Sequence, residues 1–241
     1  MDSKPPVRWA HWPHPANHEP PDMWSVWAPM VEAWHPYISP GDHCLDIGAY
    51  TGDTTIPMAV LAVPAGQVTA FEPNAAVFPT LLKNTQQPPN LAPIHALNLA
   101  ADTENAERTF HYSDAEFCNG GQLLPTRDYK IKHRIPQAVR CVPLKAFLHP
   151  LVQFIKIDTE GNDHRILRSC ETELKRWHPT IQTEIYPDLT AAERLDYLVW
   201  LQGLGYRILN LDGTPADYAV VIASSLCDII ATTRFKPTSE A

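Results

Sequence analysis

The sequence has no run that approaches the roughly 20 apolar residues of a membrane-crossing helix. Its first residues, Met1 to Pro21, contain no apolar core of the kind a secretory signal carries. A cytoplasmic protein without a membrane partner is the expectation. Positive charge is also scarce. Lys and Arg number 19 against 27 Asp and Glu, a formal net charge of -8. Such a balance argues against tight binding to nucleic acid, which needs clustered cations to meet phosphates. Cysteine is sparse too. Cys44, Cys118, Cys141, Cys170 and Cys227 are widely spaced, odd in number and form no C-x-x-C pair. They read as free thiols rather than a disulfide frame, with Cys44 in an apolar run as a core residue.

A chain of 241 residues with 44 % hydrophobic residues suits one α/β domain with additions. The division expected is an arm plus helix over residues 1–37 and a catalytic domain over 38–241. The arm is rich in proline and holds Trp9, Trp12, His11, His14 and His18. Proline fixes φ and removes donors, so the arm is extended or irregular. Its tryptophans suit packing back onto the domain. Its histidines read as solvated, since no Cys or carboxylate stands at metal-ligand spacing, and no metal is expected.

Helical spacing of Trp24, Trp27 and Trp34 predicts a helix over Met23–Tyr37. Strands are predicted at His43–Ile47, Gln67–Phe71, Leu91–Leu99, Phe154–Asp158, Thr180–Ile185, Tyr206–Leu211 and Leu226–Thr233. Helices are predicted at Gly52–Val63, Ala75–Gln86, Asp163–Trp177 and Ala191–Leu204. Arg108–Ser113 reads as a strand or hairpin arm, and Cys118–Ala138 as a long loop. The alternation predicts an α/β fold with a mainly parallel sheet. Ligands of such sheets sit beyond the carboxyl ends of the strands.

Four segments fall at those ends. Asp46-x-Gly48-x-x-x-Gly52 follows a strand and opens a helix, where glycine permits tight turning and close approach. A dinucleotide fingerprint would place glycine where Asp46 stands. A carboxylate there suits an amino-acid ammonium and repels a pyrophosphate. A plain glycine-bearing turn is the alternative. Glu72 follows Gly52 by 20 residues, at the end of the second strand, where an acid accepts both hydrogen bonds of a ribose diol. The alternative for Glu72 is a carboxylate paired with a helix dipole. Asn98-Leu-Ala100-Ala-Asp102 is a polar edge that either reaches an adenine amine or caps a turn. Finally, Ile155-Lys-Ile-Asp158-Thr-Glu160-Gly-Asn162-Asp163 crowds four charges around one turn. Asp158 and Glu160 share a side if the strand continues through Glu160, and such a pair implies a wet or ligand-filled site. Helix capping by Asn162 or Asp163 is the alternative there.

The strings Asp46-Ile-Gly-Ala-Tyr-Thr-Gly52, Phe71-Glu72-Pro73, Asn119-Gly120-Gly121, Val142-Pro143-Leu144 and Ile155-Lys-Ile-Asp-Thr-Glu-Gly161, in this order, resemble the FkbM-type methyltransferases that use S-adenosylmethionine (SAM). The resemblance covers roughly residues 40–186. It implies a Rossmann-like class I methyltransferase sheet, six parallel strands and an antiparallel seventh, with helices on both faces. It implies that Asp46, Gly48, Ala49, Tyr50, Thr51 and Gly52 hold the methionine part of SAM and that Glu72 and Pro73 hold the ribose. Asn98, Ala100 and Asp102 would meet the adenine. Asp158 and Glu160 would line the acceptor side, with Asp158 also near the cofactor. Three departures stand out: Tyr50 where Asn is usual, Thr159 where Val is frequent, and Asn162-Asp163 where Ala-Glu is common.

The reaction expected is methyl transfer to a hydroxyl of a small molecule, a sugar or natural product. A hydroxyl acceptor needs a base, and Asp158 or Glu160 can take its proton, with His164 one turn further as a weaker candidate. An N-methyltransferase, a SAM-binding domain without activity, and a nicotinamide oxidoreductase are the other readings. The absent first glycine weighs against the last of these.

Overall fold

The computed structural model describes residues 23–86, 90–112, 121, 123, 135–224 and 227–234. The predicted arm, with its three histidines, and most of the predicted loop lie outside the described residues. The chain begins with α1 (Met23–Trp34), β1 (His43–Ile47), α2 (Thr55–Leu61), β2 (Gln67–Phe71), α3 (Phe78–Thr85) and β3 (Ile94–Leu97). It continues with β4 (Ala100–Asp102), β5 (Ala106–Tyr112), β6 (Ile135–Pro143), β7 (Val152–Ile157), α4 (Asp163–Arg168) and α5 (Glu171–Trp177). It ends with β8 (Thr180–Glu184), α6 (Ala191–Gly203), β9 (Arg207–Leu209), α7 (Tyr218–Ala223) and β10 (Asp228–Thr232).

Seven strands form one sheet in the order β3-β2-β1-β7-β8-β10-β9. The pairs from β3 to β8 are parallel, and β10 runs antiparallel to both β8 and β9. This is the Rossmann-like arrangement expected. The order reverses after β3, so β1 and β7 meet side by side where the chain switches direction across the sheet. Crevices open at such points.

The central strands are buried on both faces, which is why they read as short apolar runs. Alternation sends their side chains to two separate cores. Cys44, Val68, Phe154 and Ile230 face α1 and α2. Leu45, Ile47, Ile155, Ile157 and Ile181 face the other way, against Ile166 and Leu167 of α4 and Tyr197 and Leu198 of α6. On α1, Trp27 and Trp34 are buried. Trp34 lies against the Phe154 ring, and its Nε1 donates to Gln182 Oε1 at 2.6 Å.

Three expectations need correction. The predicted helix Asp163–Trp177 is two helices, because Ser169 Oγ and Cys170 Sγ donate back to the Ile166 carbonyl and close the first helix at its sixth residue. The predicted strand Leu91–Leu99 is only Ile94–Leu97, and Ala100–Asp102 leaves the main sheet for a second one. That second sheet has the order β4-β6-β5, and its β6 takes up the end of the predicted loop.

Candidate functional site

The carboxyl ends of β1, β2 and β7 surround a cavity of about 320 Å³. Its first wall is the turn after β1. Gly48 has φ +83°, and a Cβ there would collide with the backbone carbonyl of Asp158. The close approach that requires glycine is therefore to β7. The amides of Gly48 and Ala49 both donate to the Phe71 carbonyl at 3.0 Å, which ties the turn to β2. Tyr50 sits at φ +49°, a left-handed conformation that Asn tolerates better than other non-glycine residues.

Glu72 forms the second wall and is 6 % exposed. Its Oε2 accepts from the Tyr50 amide at 2.8 Å and its Oε1 from the Asn74 amide at 2.7 Å. Each carboxylate oxygen keeps a lone pair for one more donor. Burial pushes its pKa up to about 7, against the pull of those two amides. Asn98 does not line the cavity. Its Nδ2 donates to the carbonyls of Glu72 and Pro73 and so fixes the backbone that carries the carboxylate. Pro73, Ala100 and Ala101 continue this wall, and Phe110, Gly121 and Leu123 close it from the side of the second sheet.

Lys156, Asp158, Thr159, Glu160 and Asn162 make the third wall. β7 stops at Ile157, so the premise that a continuing strand aligns Asp158 with Glu160 is wrong. The chain turns instead, with Glu160 at φ +55° and Gly161 at φ +97°. A Cβ on Gly161 would meet the Tyr186 ring at 2.7 Å, so the turn is held close against the end of β8. Both carboxylates still reach the cavity, through the turn. Asn162 makes no side-chain cap. The Asp163 carboxylate instead accepts from the Thr159 amide and hydroxyl, Thr183 Oγ1 and the Glu184 amide, which pins the turn to β8.

Charge is unbalanced along this wall. Burial works against the Lys156 ammonium, but Asp158, Asp46 and Asp53 outweigh it and raise its pKa. Lys156 Nζ pairs with Asp158 Oδ2 at 3.3 Å. Glu160 is pushed up to about 7, first by burial and then by Asp158 and Asp163.

Several predicted residues lie elsewhere. Asp46 is fully buried behind the turn and does not line the cavity. Its Oδ2 accepts from Thr54 Oγ1 at 2.9 Å and Thr55 Oγ1 at 2.6 Å, so it holds the start of α2. Ala49, Thr51 and Gly52 are likewise buried and outside the lining. Asp102 is buried, held by the Thr103 amide, Arg108 Nε and Arg165, and outside the cavity lining. His164 packs edge-on against Tyr197 of α6, outside the cavity lining and away from the carboxylates of the turn. In turn, the sequence reading missed Asp53 and Phe110, which do line the cavity. Asp53 directly follows Gly52 and was open to detection as the first acid of the turn. Phe110 carries no local signal, because the second sheet brings it there.

The family model of the methyltransferase FkbM domain matches residues 46–208. No curated protein matches. Among solved structures, methyltransferase FkbM from Methylobacillus flagellatus KT is similar at 13 % identity and TM-score 0.52, over 84 % of this chain and 50 % of its own. The present chain thus spans about half the length of that protein. Aeropyrum pernix fibrillarin, in complex with natively bound S-adenosyl-L-methionine, is similar at 13 % identity and TM-score 0.48, over 87 % of this chain and 76 % of its own. At 13 % identity the likeness to the Methylobacillus flagellatus protein concerns the fold. The family match covers more than half of the chain and spans all three walls of the cavity; the chain belongs to the FkbM methyltransferase family, whose cofactor is S-adenosylmethionine.

Proposed function

We propose that this chain transfers a methyl group from SAM to a hydroxyl oxygen of a small molecule, a sugar or natural product. The observation that carries the cofactor part is Glu72. Its two oxygens are anchored by two backbone amides and keep acceptor capacity beside the cavity. A ribose diol is the group that matches two adjacent acceptors. Ala100, Ala101, Phe110 and Leu123 offer an apolar wall for a purine. Asp53, rather than Asp46, is placed to take an ammonium. SAM supplies a methyl group on a sulfonium, which needs only in-line attack.

The chain's own task is to hold the acceptor and remove its proton. Glu160 suits that task better than Asp158. Its pKa of about 7 keeps a useful fraction deprotonated near neutral pH while leaving it basic enough to accept a proton. Asp158 is already engaged by Lys156. Its role is to hold that lysine and, through its backbone, the Gly48 turn. Residues 38–241 form the catalytic domain on this reading, with α1 packed on it.

Calorimetric titration with SAM tests the cofactor reading. Glu72→Ala is expected to weaken binding by roughly a hundredfold, since two hydrogen bonds to a charged group are lost. Unchanged affinity would remove Glu72 from the site.

A further inference from the structure

One face of the main sheet, at its carboxyl edge, holds a second group of acids that the cofactor does not explain. Lys156 and Gln182 are register partners on β7 and β8, and Glu184 and Asp228 are register partners on β8 and β10. Alternation therefore puts Lys156, Gln182, Glu184 and Asp228 on the same face, the one covered by α1 and α2, and Asp158, just past the end of β7, reaches Lys156 on it. Only Lys156 in this row is positive, and Asp158 already engages it. Gln182 is spent on Trp34 and on Asp228 Oδ2.

Glu184 remains. It is 8 % exposed, and its Oε2 is buried with no hydrogen-bond partner among the described residues. Ile157 and Thr183 are register partners, so Glu184 stands where the chain leaves β7 for the turn that carries Asp158 and Glu160, and the carboxylates of Asp158, Asp163, Glu160 and Asp228 all act on it. A buried acceptor left unmet costs stability, so a bound donor at this position is favoured. Burial and these neighbours push its pKa up to about 9. No three His, Cys, Asp or Glu groups among the described residues stand close enough to hold a metal ion. A cationic N–H donor on a bound organic molecule would meet both this oxygen and the surrounding negative charge.

Resting on the methyl-transfer reading above, we infer that Glu184, with Asp228 beside it, is an acceptor subsite for a protonated amine, so that the methylated molecule is a hydroxyl compound bearing an ammonium group. A protonated amine has no free electron pair. It serves as the handle while the neighbouring hydroxyl, deprotonated by Glu160, meets the methyl group. The subsite disfavours an anionic acceptor for the same reason.

The test uses three small probes on one ring frame: glucosamine, glucose and glucuronate, as cation, neutral molecule and anion. Their binding to the full chain saturated with S-adenosylhomocysteine is measured by ligand-observed NMR. Glucosamine is expected to bind about tenfold or more tightly than glucose, with glucuronate weakest. Glu184→Gln, which keeps shape and removes charge, is expected to bring glucosamine down to the level of glucose. Asp228→Asn is expected to reduce the preference in part. Equal binding of the three probes, no binding of glucosamine, or a preference that survives both substitutions in folded variants overturns the proposal. Titration of S-adenosylhomocysteine alone separates the two readings: its affinity is expected to be the same in wild type and Glu184→Gln, and its failure to bind wild type would sink the cofactor reading instead.

Discussion

The two ends of the cavity solve the same problem differently. At the Glu72 end, one carboxylate is buried and both its oxygens are met by backbone amides. At the Glu160 end, several carboxylates crowd one lysine, and Glu184, outside the cavity lining, keeps an oxygen with no hydrogen-bond partner among the described residues. The first end is preorganised for a fixed ligand. The second gathers like charges whose repulsion a bound cation would reduce. On the proposed function, rigid amides suit recognition of an invariant cofactor, and carboxylates whose basicity neighbours raise suit proton transfer.

Substitutions should separate the ends. Glu160→Gln is expected to lower kcat by about a hundredfold or more, the usual worth of a positioned base, with SAM affinity unchanged. Steady-state kinetics beside calorimetry checks this, and equal loss of both would move Glu160 into the cofactor end. Gly48→Ala strikes the joint between the ends, where a Cβ collides with the Asp158 carbonyl at a left-handed φ. It is expected to cost roughly 2–3 kcal/mol by thermal or denaturant unfolding.

The stability of the ligand-free protein should also depend on pH in a direction opposite to the common carboxylate pattern. Glu72 and Glu160 are raised from 4.5 to about 7, and Glu184 to about 9. With folded values above unfolded ones, the folded state binds more protons between those limits. The stability these groups contribute is complete below pH 4.5 and is lost as pH rises through about 7 and then about 9. The melting temperature is expected to fall by several degrees between roughly pH 6 and pH 9. Glu184→Gln is expected to remove the upper part of that fall, and Glu72→Gln a lower part. The smallest effect is expected at Tyr50. Its side chain occupies a left-handed position, and Tyr50→Asn should stabilise by up to about 1 kcal/mol while keeping the amide that holds Glu72.

What the sequence revealed, and what it hid, follows from how local each feature is. β1 and β2 are bounded as expected because both faces of each are buried and turns flank them. The Gly48 turn, Glu72 and the Asp158–Glu160 turn were legible because each is a short string at a strand end. The second sheet was not. β4 pairs with β6 across some 40 residues, through a segment with no periodic pattern. Asp46 and Asp53 look alike in sequence, and only the path of the turn sends one behind the cavity and the other into its wall. His164 stands one residue after Asp163, but the docking of α4 on α6 turns it toward Tyr197.

Asp102 has a consequence beyond its own burial. Its carboxylate is gripped by Arg108 of β5 and Arg165 of α4. Arg108 stands two residues from Phe110, and Arg165 follows the turn that carries Glu160. The lateral wall and the Glu160 turn are therefore braced on one rivet. Loss of the Asp102 carboxylate would therefore loosen the side of the cavity and the turn that carries Glu160 together, although Asp102 itself touches neither.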